Sequence, residues 1–341
     1  MSAADFDPAA LERFLGQTFG ASPQPMQLSR IAGGQSNPTY FVTFGGRNMV
    51  LRKKPAGPIL KGAHAIDREY RVLRALEGAD VPVPRAILYH EDGDVLGTPF
   101  YLMERLEGRV FHDCALEDVP TGDRRGLYMG MADAMAKLHA VVPADVGLGD
   151  YGPPGNYFER QIRRWTKQYH ASTGGPIAAL DALVDWLPDN MPANDGRVSI
   201  AHGDFRLGNM LFHPSEPRVV GILDWELSTL GHPLADLGFC CMSWHSSPEE
   251  YGGILGLDLA ARGLLTQQEF IDRYYASAAP TAPLTDFHIA FALFRFSVIF
   301  VGIADRARAG SAASDEAARL APLAERFAIR ATEVIAGEHA T

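Results

Sequence analysis

One stretch constrains this chain more than any other. It reads Ile200-Ala201-His202-Gly203-Asp204-Phe205-Arg206-Leu207-Gly208-Asn209-Met210-Leu211-Phe212, and fifteen residues after Asn209 stands Asp224, in Val220-Gly221-Ile222-Leu223-Asp224-Trp225-Glu226. Two carboxylates and a carboxamide on loops beside short apolar strands are a recurring arrangement for phosphoryl transfer. One Asp accepts the hydroxyl proton of the attacking group, while the Asn and the second Asp hold magnesium against phosphates. Mg²⁺ asks for hard oxygen ligands, and few from the protein, because phosphates and water complete its octahedron.

The rest of the chain must supply a scaffold for those loops. At 341 residues it has a little over two domain-lengths. With 47% hydrophobic and 21% charged residues, it can bury a layered core without disulfide or metal staples. Its formal net charge of −10 argues against nucleic acid or an anionic membrane as a partner, so any anionic ligand needs a local positive cluster. The three cysteines, Cys114, Cys240 and Cys241, form no CxxC pair, which suggests neither a disulfide framework nor a zinc site. The N-terminus lacks a basic n-region and an apolar h-region, so a cytoplasmic, soluble protein is expected. The most apolar window, Phe287 to Ala304, is broken by His288, Arg295 and Ser297 and reads as a buried helix.

Periodicity predicts a helix over Phe6 to Phe19 and strands at Met26 to Ile31, Thr39 to Phe44 and Met49 to Lys53. A helix over His64 to Leu76 and strands at Ala86 to Tyr89 and Phe100 to Glu104 follow. Beyond Gly108 the chain reads as mostly helical, at Arg124 to Ala140, Tyr157 to Tyr169, Gln267 to Ala276, Asp286 to Ala304 and Ala312 to Val334. Strand-rich then helix-rich predicts an α+β protein in two lobes, residues 1–106 and 107–341.

His-Gly-Asp-x-x-x-x-Asn followed by Leu-Asp-Trp-Glu resembles the aminoglycoside phosphotransferase and choline kinase branch of the protein-kinase-like superfamily. The resemblance implies a bilobal kinase-like fold, with ATP and Mg²⁺ bound and the γ-phosphoryl group passed to a hydroxyl. It makes Asp204 the catalytic base, with Asn209 and Asp224 as magnesium ligands. Arg206, two residues past the base, could neutralise charge on the transferring group. Gly34, Gln35, Ser36 and Asn37 lie between two strands, where a phosphate-covering loop belongs. Met49-Val50-Leu51-Arg52 matches the kinase strand that ends in Lys, placing Arg52 there and turning Lys53 to the opposite face. Glu69 matches the helix Glu that pairs with this cation, and it shares a face with Ile66 and Leu73. The run Phe100 to Leu106 fits the hinge between lobes, where the backbone around Glu104 and Leu106 would hold adenine.

Two departures bear on the acceptor. Only twelve positions separate Asp224 from Asp236, with no Ala-Pro-Glu after them, which leaves no platform for a peptide and favours a small molecule. Trp225 and Glu226 replace the Phe-Gly pair of protein kinases, which argues against an activation-loop switch. Asp236 resembles the family's Asp that braces the catalytic loop.

Leu51-Arg52-Lys53-Lys54-Pro55, Ala63 to Glu69 and Gly152 to Trp165 are similar to the branch that in animals is fused to acyl-CoA dehydrogenase. That resemblance implies a hydroxyacyl-CoA or hydroxy acid as acceptor, and a separately encoded acyl-CoA dehydrogenase as partner. Arg160, Arg163, Arg164 and Lys167 form a basic stripe at i, i+3, i+4 and i+7. It reads equally as a binding face for an anionic acyl substrate and as a solvated face paired with acidic neighbours. Other readings are a catalytically silent pseudokinase serving as a binding module and an aminoglycoside or amino-alcohol kinase. Retention of Asp204, Asn209 and Asp224 weighs against the former; the scarcity of carboxylates in the insertion weighs against the latter.

Overall fold

The computed structural model describes residues 4–31, 37–56, 65–279, 281–309 and 319–338. The expected loop residues Gly34, Gln35 and Ser36 lie outside them, as do residues 312–318 of the helix predicted from Ala312. Two compact units divide the chain. The first takes in Met1–Arg109, Leu211–Pro214 and Val220–Ser228, and the second holds the remainder.

The first unit is built on five antiparallel strands. These are β1 (Gln27–Arg30), β2 (Thr39–Phe44), β3 (Arg47–Lys53), β4 (Ala86–His90) and β5 (Phe100–Glu104), in the order β1-β2-β3-β5-β4. Alternation decides what each face carries. Tyr40, Val42 and Phe44 of β2, Met49 and Leu51 of β3, and Phe100 and Leu102 of β5 form one core with Leu11 and Leu15 of helix α1 (Pro8–Phe19). Asp7 caps α1 by accepting from the Ala9 amide. Arg52 and its cross-strand partner Tyr101 belong to the opposite face, which helix α2 (Ile66–Leu76) approaches with Ile66, Glu69, Val72, Leu73 and Leu76 buried.

The first unit takes in chain beyond residue 106 because of a long-range pairing. Arg109 and Phe212 exchange both backbone hydrogen bonds at 2.8 Å. A Cβ on Gly108 would lie 2.3 Å from the Phe212 carbonyl, so only glycine allows that approach. Thus the segment carrying Asp224 belongs with the first hundred residues. Its strand β8 (Val219–Ile222) pairs with β7 (Met210–Phe212), and the Ile222 amide bonds to the Pro82 carbonyl.

The second unit is mainly helical, with α3 (Thr121–Ala140), α4 (Tyr157–His170), α5 (Ala178–Asp189), α6 (Pro233–Cys241), α7 (Gln267–Ser277), α8 (Asp286–Arg308) and α9 (Leu323–Ile335). Its antiparallel ladder of β6 (Ser199–Ala201) and β9 (Thr229–Gly231) ends where the His202 loop and α6 begin. Helix α8 has the length and hydropathy to cross a membrane, but 78% of its most apolar window is buried inside the protein. It packs against α4, α5, α6 and α9.

Candidate active site

In the first unit the arrangement centres on Arg52. Its Nη2 donates to Asp224 Oδ1 at 2.6 Å, and Glu226 Oε2 stands 3.9 Å from the same nitrogen. Arg52 Nε lies 3.0 Å from Glu69 Oε2, too far off line for a hydrogen bond, so this buried N–H has no aligned acceptor. Glu69 also accepts from Tyr101 Oη at 3.0 Å and from Asn37 Nδ2 at 2.9 Å. Asn37 is buried, with its Nδ2 on the Glu69 carboxylate. Burial pushes the Glu69 carboxyl up to about 7, against the pull of Arg52 and the Tyr101 hydroxyl. Burial works against the Arg52 charge, yet Glu69 and Asp224 outweigh it and raise its pKa.

Asp224 itself sits at φ +63°, a conformation costly for a residue with a side chain. It precedes a 3-10 turn, Trp225–Leu227, that packs on α2, and Arg68 Nη2 bonds the Ser228 carbonyl that ends the turn. Its strand passes the expected hinge: a Cβ on Gly221 would fall 2.9 Å from Leu106 Cδ1. Glu104 ends β5 with its amide on the Arg85 carbonyl, and Arg105 leaves the sheet bonded to the Asn48 carbonyl.

Lys53 faces the other way. It is fully buried, with Nζ 2.8 Å from Asp5 Oδ2, and Tyr40 Oη donates to Asp5 Oδ1 at 2.7 Å. No sequence signal singled out Asp5, which lies 48 residues upstream.

The second unit pins the 202–206 loop at successive groups. Asp236 Oδ2 accepts from the His202 amide at 2.7 Å and Oδ1 from the Gly203 amide at 2.9 Å. Gly203 has φ +83°, and its carbonyl accepts from Arg295 Nη2 at 2.5 Å. The Asp204 amide donates to His202 Nδ1 at 3.2 Å, and Cys240 Sγ donates to the Phe205 carbonyl at 2.9 Å. His139, a buried helix residue, stands 3.3 Å from Asp236 and 2.9 Å from the Tyr274 hydroxyl. Burial alone would raise the Asp236 carboxyl; the His139 contact, His202 and the Gly203 amide together hold it below the usual range.

This bracing orients the Asp204 side chain. Arg206 Nε lies 3.2 Å from both of its oxygens, and Asn209 Nδ2 donates to Oδ2 at 2.7 Å and to the Asp204 carbonyl at 2.9 Å. Gly208 leaves room for the Arg206 guanidinium, because a Cβ there would meet Nη1 at 2.9 Å. With its nitrogen on Asp204, Asn209 is left with Oδ1 for a cation. Among the described residues no cluster of three or more His, Cys, Asp or Glu could hold a metal. The Asp224 carboxylate and the Asn209 carboxamide oxygen are each hard donors of the kind that Mg²⁺ takes.

Next to this loop lies a cavity of about 350 Å³. Phe205 and Arg206 form its loop side, and Tyr128, Phe239, Trp244 and Phe296 stand among its aromatic walls. Its buried carboxylate, Glu250, is neutralised by Arg330 Nε at 2.9 Å and Arg326 Nη2 at 2.6 Å. Its lining comes from segments between residues 112 and 327, which no local sequence pattern brings together.

The basic stripe lies opposite the buried face of α4. Arg160 binds the Pro154 and Gly155 carbonyls, Arg163 pairs with Glu159, and Arg164 lies over the Trp165 ring. Arg163 and Lys167 also line a separate cavity of about 750 Å³ with Ile162, Val184 and Met191.

The phosphotransferase enzyme family APH matches residues 27–273. A crystal structure from Ralstonia eutropha JMP134, described as a candidate aminoglycoside phosphotransferase, is 43% identical and superposes with a TM-score of 0.84, covering 96% of this chain and 99% of that one. Aminoglycoside phosphotransferase APH(4)-Ia in complex with AMP-PNP and hygromycin B shares the fold, at a TM-score of 0.62 and 18% identity, covering 94% of this chain and 98% of that one. The chain therefore belongs to the APH phosphotransferase family.

Among curated proteins, the probable acyl-CoA dehydrogenase IBR3 of Arabidopsis thaliana is 42% identical over 93% of this chain and 41% of its own length. Acyl-CoA dehydrogenase family member 10 of mouse is 39% identical over 94% of this chain and 30% of its own length. The chain thus spans less than half the length of these relatives.

Proposed function

We propose that this phosphotransferase acts on a hydroxyl borne by an apolar, acyl-type acceptor, with a hydroxyacyl thioester such as a hydroxyacyl-CoA the best-fitting class. The observation that carries this reading is the aromatic cavity beside Asp204 and Arg206, whose Glu250 is already neutralised by two arginines. A polycationic sugar needs free carboxylates, and such a wall favours a hydrocarbon chain. The kinship with acyl-CoA dehydrogenase relatives agrees, and makes a separately encoded acyl-CoA dehydrogenase the proposed partner.

In this reading Asp204 orients the acceptor hydroxyl and takes its proton. Arg206 holds that carboxylate and sets its positive charge beside the transferring phosphoryl group. Asn209 Oδ1 and Asp224 are the magnesium ligands, and bound Mg²⁺ supplies charge neutralisation on the phosphates. Arg52, oriented by Glu69 and through it by Asn37, contacts phosphate oxygens. The backbone at Glu104 and Leu106 receives adenine. Arg163 and Lys167, with Arg160 and Arg164 beside them, take the anionic part of the acceptor.

The test is ADP release from Mg·ATP with hydroxyacyl-CoA thioesters and their free acids, beside aminoglycosides and amino alcohols. Release with the thioesters supports the reading. Release only with the amines would retain the enzyme class and overturn the acceptor.

A further inference from the structure

The cavity has a strained residue in its wall. Tyr251 adopts φ +71°, a region in which a bulky aromatic is an outlier, and it is 51% exposed. Asparagine or glycine would meet this backbone at lower cost. The turn around it has no slack. The Ser247 amide donates to Glu250 Oε2 at 3.0 Å, Gly252 to the Pro248 carbonyl at 3.0 Å and Gly253 to the Ser247 carbonyl at 3.1 Å. A Cβ on Gly253 would stand 1.9 Å from the Ser246 carbonyl, and Glu250 is clamped to α9 by Arg326 and Arg330. This fixed turn sets the Tyr251 ring edge-on to Phe296 and Phe300, each at 5.4 Å. Phe296 in turn meets Phe239 at 5.9 Å, so an aromatic wall runs from the exposed Tyr251 to a side chain that shares the cavity with Phe205.

We propose that Tyr251 is a specificity-determining residue, its ring limiting the length of apolar chain that the cavity admits. The proposal rests on reading this cavity as the acceptor's. Burial of each methylene raises affinity roughly fourfold until the chain meets the wall. Removing the ring moves that limit outward and leaves short chains unaffected.

The experiment is calorimetric binding of straight-chain 4-hydroxyacyl pantetheine thioesters, from butyryl to dodecanoyl, to wild type, Tyr251→Phe and Tyr251→Asn. Asn suits the positive φ, so that variant folds, and melting temperature is recorded beside affinity. We expect wild type and Tyr251→Phe to share one break in affinity against length. Tyr251→Asn should shift the break to longer chains, with a gain of about tenfold just beyond the old limit. An unchanged length profile in Tyr251→Asn, whatever its melting temperature, would overturn the proposal, as would wild-type affinity independent of chain length. A shifted profile without ADP release on any thioester would uphold Tyr251 and refute the acceptor assignment instead.

Discussion

Arg52 and Lys53 are consecutive on β3, yet one faces Glu69 and Asp224 and the other is sealed against Asp5 on the far side of the sheet. Two cations of similar size therefore answer to different tests. Lys53→Ala strips a partner from a carboxylate only one-third exposed, and should cost about 1–3 kcal/mol of stability. The kcat and KM per folded molecule should remain near wild type. Arg52→Ala should raise the KM for ATP at least tenfold. Denaturant melts beside steady-state kinetics separate the two, and the reverse pattern would contradict the assignment of faces.

The Glu69 carboxyl titrates near 7, above its ordinary 4.5, so the folded chain holds a proton there that the unfolded chain has released. Its contribution to stability is full below pH 4.5 and is lost as pH rises through about 7. Ionised Glu69 orients Arg52, so the KM for ATP should climb as pH falls through about 7. Glu69→Gln should flatten that limb, and an unchanged profile would remove Glu69 from nucleotide binding.

Asp236 receives two loop amides, and an amide in its place presents an NH2 to one of them. Asp236→Asn should lose about 2–4 kcal/mol and lower kcat, because the Gly203–Asp204 backbone is released. The sign with pH is opposite to that of Glu69. A depressed folded-state pKa gives stability above the ordinary 3.8 that disappears as pH falls through the folded value. Acid melts of the variant should therefore lack the loss expected of wild type, and parallel curves would contradict the bracing role.

Much of this was legible where a local period or motif carried it. The alternation in Met49-Val50-Leu51-Arg52-Lys53 separates the faces of Arg52 and Lys53, and the spacing of Ile66, Glu69 and Leu73 turns Glu69 inward. Helix α6 left no amphipathic signature because every one of its residues is buried. Helix α5 carries its signal in Leu180, Leu183 and Leu187, spaced for one buried face. Long-range pairings were beyond reach: Arg109 with Phe212, Lys53 with Asp5, and Arg295 with Gly203, 92 residues apart.

Asp204 is the residue on which the account turns. The direct measurement is transfer of labelled γ-phosphate from Mg·ATP to a 4-hydroxyacyl-CoA, wild type beside Asp204→Asn, with Mg·ATP affinity measured on both. The account predicts labelled acyl product from wild type, turnover reduced by at least a hundredfold in Asp204→Asn, and nucleotide affinity within a fewfold. Near-normal transfer by Asp204→Asn would contradict it.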